Sequence, residues 1–407
     1  MHDSTKICII GAGAAGMMAA GTALSLGAEV TIFEHMKLLG KKLAITGKGR
    51  CNVTNACDTE EFLTNVTKNP RFLYSALNAF GTYDTMNFFE SLGVSLKIER
   101  GNRVFPTSDK ASDIVNALRN YSSGSTVVHE KVKNIRKDNG KFIINGNDDY
   151  TFDKVILATG GRSYPLTGSD GSGYRLASKF GHTVTELIPS LIPMNSPSPI
   201  CNEMQGLSLK NVGIEIVDTN GKTVYKDFGE MMFTHFGVTG PTILSASSHV
   251  KGRDISELTL SIDLKPALDE KTLDARLLSD FKNTSNKDYI NSLSALLPSK
   301  MIVPFVDKTG IDPRKKVNTI TREERAVILR TLKSFTIPLS SFRPIEEAII
   351  TSGGVDVDQI NPRTMESKIT RGLYFAGEII DVDAYTGGFN LQIAFSTGFL
   401  AGKNAAE

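Results

Sequence analysis

Residues 6–34 read KICIIGAGAAGMMAAGTALSLGAEVTIFE: a strand, a glycine turn, a helix and a second strand in immediate succession. Lys6–Ile10 is a short apolar run suited to a buried parallel strand. Gly11, Gly13 and Gly16 form G-x-G-x-x-G around Ala14 and Ala15. The first glycine allows the tight turn, the second lets a pyrophosphate approach the backbone, and the third lets the helix lie close to the strand. The helix, residues 14–26, turns its N-terminal N–H groups and positive dipole end toward that pyrophosphate, and Gly27 suits its C-cap. The second strand ends in Glu34, with His35 beside it. An acid roughly 20 residues beyond the glycines is placed to accept ribose hydroxyls, and its charge disfavours a 2′-phosphate. The stretch therefore predicts a dinucleotide site, without separating FAD from NAD.

Outward from this stretch, residues 40–55, GKKLAITGKGRCNVTN, interleave cations and hydroxyls with apolar side chains, as expected of a half-buried loop crossing a large polar cofactor. Lys42, Thr46, Gly47, Arg50, Asn52 and Thr54 are its candidate ligands. Cys51 has no partner cysteine at resolving spacing, so its expected role is packing beside the cofactor, against the alternative of a thiol activated by Lys48 and Arg50. Helices are expected over residues 70–80, 83–92 and 112–121, the last capped by Ser112 or Ser108. Residues 126–130, 141–145 and 150–152 read as a small antiparallel meander. Residues 154–159 are a further buried strand, and Ala158-Thr159-Gly160-Gly161 closes it with small residues, where ligands bind in open α/β sheets.

Four prolines between 189 and 199 mark a linker. Alternating strands follow over 207–217, 222–226, 230–234 and 258–264, and helical patterns fill much of 267–334. From residue 347 the style of the first domain returns. Leu373-Tyr-Phe-Ala376 is a strand closed by Gly377 and Glu378, with Asp381 beyond, and Gly387 and Gly388 stand before a helix running to Asn404. That helix suits partial negative charge at its N-terminus, as on the pyrimidine edge of a reduced flavin.

The 407 residues allow two or more domains. A net charge of +2 makes no electrostatic case for nucleic acid or an anionic membrane as partner, and no apolar run approaches the roughly 20 residues of a membrane span. Four scattered cysteines suggest neither a disulfide framework nor a zinc site, so no metal is expected, and the missing leader pattern makes a cytoplasmic location the expectation. Nothing in the sequence sets an oligomeric state.

The segments GAGAAG (11–16), GKKLAITGKGRCNVTN (40–55), ATGGRSYP (158–165), FTHFGVTGP (233–241), ITSGGV (350–355), TMESK (364–368) and GLYFAGEIIDVDAYTGGFNLQIAFSTG (372–398) together resemble the aminoacetone oxidase/BaiN-like FAD-binding family over essentially the whole chain. The resemblance implies an α/β fold: a Rossmann-like FAD domain over 1–188 and 345–407, a β-barrel-like insert over 189–265 and 335–344, and a small helical subdomain over 266–334. By position, Gly11, Gly13, Gly16 and Glu34 would hold the ADP half, and Val132 would meet the adenine through its backbone. Lys42, Thr46, Gly47, Arg50, Asn52 and Thr54 would line pyrophosphate and flavin. Gly377, Glu378 and Asp381 would take the ribityl–pyrophosphate region, and Gly388, Phe389, Asn390 and Leu391 the pyrimidine edge. Tyr385 departs from the glycine expected in that last run.

The implied chemistry is hydride transfer between flavin N5 and a small organic substrate. One form is reduction of an activated C=C such as a steroid or bile-acid enone, with NAD(P)H as donor, and Tyr164 and His235 are the candidate acids. An oxygen-using amine oxidase and a non-enzymatic, redox-responsive flavin protein are the alternatives. No second glycine fingerprint offers a separate NAD(P)H site.

Overall fold

The structure, a computed structural model, describes residues 4–407. It divides into two compact units, one running to Ser190 and resuming over Ile345–Glu407, the other comprising Leu191–Pro344. Among the described residues no helix is long and apolar enough to cross a membrane.

The first unit is built on a five-stranded parallel sheet. Its strands are β1 (Lys6–Ile10), β2 (Glu29–Phe33), β3 (Thr126–Val128), β4 (Lys154–Leu157) and β5 (Leu373–Phe375), in the order β5-β4-β1-β2-β3. Cys8 pairs with Val155 on one side and Thr31 on the other, so β1 is central. The order reverses at β1/β4, the place where open α/β sheets bind ligands. Ile7, Cys8, Ile9, Ile156 and Phe375 are all fully buried, which explains their continuous apolar runs.

Helix α1 (Ala14–Ser25) and helix α2 (Phe389–Ala406) lie against each other, although they come from opposite ends of the chain. A Cβ on Gly398 would stand 2.5 Å from Ala15 O, and one on Gly402 would stand 2.9 Å from Ala19 Cα. Small residues four apart on each helix therefore bring the two backbones together. The pairs 15/398 and 19/402 advance in the same direction, so the helices are parallel.

Several expectations are corrected in detail. Thr126–Val128 pairs with β2 and forms the edge of the parallel sheet, so the meander is Asn134–Asp138, Lys141–Asn145 and Asp149–Phe152. The helix Ala111–Tyr121 begins at Lys110 with no side-chain cap. The Ser108 hydroxyl instead accepts from Lys110 N and donates to Asp113. Part of the proline-rich linker is a strand, Ile188–Ser190, paired with Ile350–Ser352.

The second unit holds a seven-stranded antiparallel sheet whose edge strands, Phe335–Pro338 and Ser341–Phe342, are consecutive in the chain. Only Leu339 and Ser340 separate them, and these bond Leu258 O and Asn195 O, so the two sheet edges return to one corner, as a barrel-like sheet requires. Residues 222–234 give one strand, Thr223–Thr234, where two were expected, and the helix Pro241–Val250 was not anticipated. Leu273, Leu277, Phe305 and Ile328 from the helices share one core with Ile214, Leu260 and Phe335 of the sheet.

Two outcomes follow from this packing. Gly398→Ala gains helix propensity worth up to about 1 kcal/mol. Its methyl would nevertheless meet Ala15 backbone that cannot swing aside, so the variant should lose about 1–3 kcal/mol in urea unfolding. The second outcome concerns His182, which is 3% exposed, with Nε2 2.8 Å from Ser367 Oγ and its ring edge-on to Phe375. Burial lowers its pKa below the ordinary value near 6.5. Protons then favour the unfolded chain, so the contribution is complete above pH ~6.5 and lost as pH falls through the folded value. Stability should drop between pH 7 and 5, and His182→Gln should flatten that slope.

Candidate cofactor site

At the carboxyl end of β1 the chain turns at Gly11, whose φ is +103° and whose N–H donates to Phe33 O at 2.9 Å. A side chain there would stand 2.5 Å from Ala158 O. Gly16 faces Gly11 O more closely still. Gly13 differs: a Cβ on it would meet nothing within 4 Å. It is the N-cap of α1, no side chain caps that helix, and no acid lies in its first turn, so the N–H groups of Ala14, Ala15 and Gly16 remain available to a ligand.

Glu34 is held over this turn. Its Oε2 accepts from Ala12 N (2.9 Å) and its Oε1 from Met36 N (2.8 Å), with His35 Nδ1 3.6 Å from Oε1. The loop after β4 folds against it. Gly168 faces Met36, His35 and Glu34, and Lys41 Nζ donates to Leu166 O at 2.7 Å. Ala158 bonds Ile10 O, Thr159 follows, and Gly160 has φ +72° with Ser169 opposite. The hydroxyl of Ser169 and Oδ1 of Asn52 are buried without a hydrogen-bond partner among the described residues. Val132, 4% exposed, lies beyond the end of β3.

The last third of the chain enters the same place. Gly377, φ +76°, presses on Ala15 and donates to Thr397 Oγ1 at 2.9 Å. Lys42 Nζ lies 2.7 Å from both Glu378 Oε2 and Ser163 Oγ, and Thr351 N donates to Glu378 Oε1 at 2.8 Å. Lys68 Nζ stands 2.8 Å from the buried Asp381. Helix α2 also starts uncapped, at Gly388 (φ +99°), where a side chain would run into Thr54 O. The N–H groups of Phe389, Asn390 and Leu391 form its first turn. The Asn390 amide bonds Ala384 O, Ala384 N and Tyr385 O, fastening the preceding loop. Thr54 Oγ1 donates to the fully buried Gln392 at 2.6 Å.

The 46–51 loop turns repeatedly through left-handed backbone, at Gly47, Lys48, Gly49 and Cys51. Thr46 Oγ1 bonds Leu43 O. Arg50 stands apart from its expected role. Arg50 points to Glu99 and Asp109 and covers the Phe105 ring at 4.2 Å. Cys51 is fully buried, and burial pushes its thiol up to about 12 despite a hydrogen bond with Thr46, so it is no thiolate. Of the candidate acids, Tyr164 is half-buried with φ +53°, its N–H on Glu346 O. His235 is exposed at the turn between Thr223–Thr234 and Gly237–Thr239 in the second unit.

Sequence reasoning missed Ser163, Ser169, Gln392 and Thr397. The signal for the last two was present: polar side chains on an otherwise apolar, small-residue helix.

A glycine turn on the central strand, an acid after the next and a crevice at the strand-order reversal define a Rossmann-type dinucleotide-binding protein. The family model described as HI0933-like protein Rossmann domain matches residues 5–404. The chain belongs to this HI0933-like Rossmann FAD-binding family of oxidoreductases, as its motifs indicated. Curated relatives include the 3-dehydro-bile acid delta(4,6)-reductase of Clostridium scindens, 31% identical over 99% of both chains. They also include the ribosomal RNA dihydrouridine synthase of Escherichia coli, 30% identical over 97% of this chain and 96% of that one. Among solved structures, a 3-ketosteroid-Δ4-(5α)-dehydrogenase of Rhodococcus jostii is similar in fold at 15% identity and TM-score 0.54, covering 99% of this chain and 97% of that one. A 3-ketosteroid Δ1-dehydrogenase of Sterolibacterium denitrificans is similar at 12% identity and TM-score 0.53, covering 99% and 100%.

The residues present fit FAD: an open space at Gly13, two uncapped helix starts, and two polar atoms, Ser169 Oγ against the Gly160 turn and Asn52 Oδ1, that are buried without a partner among the described residues. Gly13→Ala separates site from fold. Apoprotein stability should stay within about 1 kcal/mol, since the methyl touches nothing. FAD should bind about tenfold or more weakly by titration of the apoprotein, because the methyl fills the approach to the helix.

Proposed function

We propose that this chain is an FAD-dependent reductase of a C=C bond conjugated to a carbonyl, with NAD(P)H as electron donor. The observation that carries this reading is full-length similarity to two proteins whose names describe the same bond change. A 3-dehydro Δ4,6 bile acid carries a dienone, and dihydrouridine arises from uridine by reduction of C5=C6, which is conjugated to C4=O.

FAD, once bound and reduced by NAD(P)H, would supply a hydride at N5 for the β-carbon of such an acceptor. Glu34 would take the ribose hydroxyls, and the first turn of α1 at Gly13 the pyrophosphate. The first turn of α2 at Gly388 would favour negative charge on the flavin's pyrimidine edge. Lys42 is oriented by Glu378 and Ser163. Val132, Thr46, Gly47, Asn52, Thr54 and Asp381 complete the proposed cofactor set.

Tyr164 is our candidate donor of the proton that reaches the α-carbon. It continues the loop from Gly160 through Ser163 in the cofactor unit, and its left-handed backbone is held by Glu346 O and Thr167 N. His235 is the second candidate, an exposed imidazole on a hairpin turn.

Two substrate classes carry the required bond: a small steroid-like enone, and uridine within RNA. The Escherichia coli relative, named for ribosomal RNA, keeps nucleic acid among the candidate partners, although a net charge of +2 supplies little of the phosphate attraction such binding uses. Anaerobic stopped-flow tests the reading. NADH or NADPH should bleach the flavin, and either an enone or a uridine-containing RNA should restore its colour. No reoxidation by any conjugated acceptor would refute the reductase. Tyr164→Phe should slow reoxidation about 100-fold at unchanged FAD content. A comparable loss confined to His235→Gln would transfer the role to the histidine.

A further inference from the structure

Among the described residues, several side-chain polar atoms are buried without a hydrogen-bond partner, and the hydroxyl of Ser169 is the one set against the turn that ends β4. Ser169 is 5% exposed, and its Oγ has no hydrogen-bond partner among the described residues. A hydroxyl in that condition carries an uncompensated desolvation cost, which proteins rarely retain without a ligand or water to relieve it.

Its surroundings say what the ligand is. Ser169 Oγ lies 2.9 Å from the position a Cβ on Gly160 would take, so it faces the left-handed turn that ends β4. Its neighbour Gly168 faces Glu34, His35 and Met36 at the end of β2. Gly11 packs on Ala158 and Thr159 between these two strand ends. The hydroxyl thus faces Gly160 on a loop whose preceding residue, Gly168, faces Glu34, at the strand-order reversal. Three contacts fix the loop that carries it: Lys131 to Asp170 (2.5 Å), Gly171 N to Gly161 O (3.1 Å) and Ser172 N to Asp170 Oδ1 (2.9 Å). Ser169 is therefore held in place before any ligand arrives.

We infer that Ser169 is a hydrogen-bonding residue for the adenosine half of FAD, sharing with Glu34 the recognition of its ribose end. Glu34 can only accept, and both its oxygens already receive a backbone N–H. Ser169 adds a group that both donates and accepts. The inference rests on FAD as the cofactor.

The test uses full-length protein stripped of flavin, titrated with FAD and with FMN by flavin fluorescence, for wild type and Ser169→Ala. FAD affinity should fall about fivefold in the variant, the size of one neutral hydrogen bond, while FMN affinity stays the same. The thermal midpoint of the apoprotein should be unchanged or higher, because the mutation removes an unsatisfied buried group. Unchanged FAD affinity, an equal loss for FMN, or a lower apoprotein midpoint would each overturn the assignment, the last by revealing a protein partner for the hydroxyl. Wild-type protein that takes up no FAD would refute the cofactor, and with it both readings, and is told apart by the wild-type titration alone.

Discussion

The backbone contact between α1 and α2 is the constraint on which the rest depends. Ala15 and Ala19 on one helix meet Gly398 and Gly402 on the other so closely that neither glycine position can accept a methyl. Because the helices are parallel, both N-termini point the same way. Their aligned dipoles repel, and neither first turn carries an acid or a side-chain cap to relieve that repulsion. An anionic ligand relieves it. α2 begins nine residues before Gly398, whereas α1 begins one residue before Ala15. At 1.5 Å per residue its N-terminus therefore projects roughly 12 Å further. Two positive ends offset along one direction suit an elongated dinucleotide with partial negative charge at two places.

The side-chain cations follow from this arrangement. Lys42 is matched by Glu378, and Arg50 by Glu99 and Asp109, so neither brings an unbalanced charge to the crevice. In the proposed reading, anion recognition falls to main-chain N–H groups, whose positions are fixed by secondary structure and cost no side-chain ordering when a ligand binds. The glycines are required for the same reason, since recognition by backbone needs the backbone to be reachable.

That logic explains what was legible in the sequence. Gly11, Gly13, Gly16 and Glu34 form a local pattern, and each stands where its spacing puts it. The partners of Arg50 lie 49 and 59 positions away, and loop residues do not announce which carboxylate a hairpin will bring to them. Thr126–Val128 is too short for alternation to reveal whether it joins a parallel or an antiparallel sheet. The helix Pro241–Val250, PTILSASSHV, mixes small, polar and β-branched residues, and packing rather than propensity makes it helical. Ser169 was invisible for another reason: an unpartnered hydroxyl is defined by what is missing around it, which only coordinates show.

The insertion of 154 residues (344 − 191 + 1) into the cofactor unit raises a question of cost, since a flexible loop of that length would be expensive to close. Both sides of the crossing answer it. Within the cofactor unit, Ile188–Ser190 and Ile350–Ser352 are hydrogen-bonded neighbours. Within the insert, Met194 pairs with Phe342, and Asn195 with Ser341. Each unit folds with its two chain ends already side by side, so neither must close the other's loop. The buried carboxylate of Asp383 adds a clamp on the cofactor side, accepting from Ser190, Ser352 and Thr67 hydroxyls at 3.1, 3.0 and 2.8 Å. Asp383 lies five residues before Gly388, so the clamp on the crossing strands and the loop that starts α2 are held by one short segment.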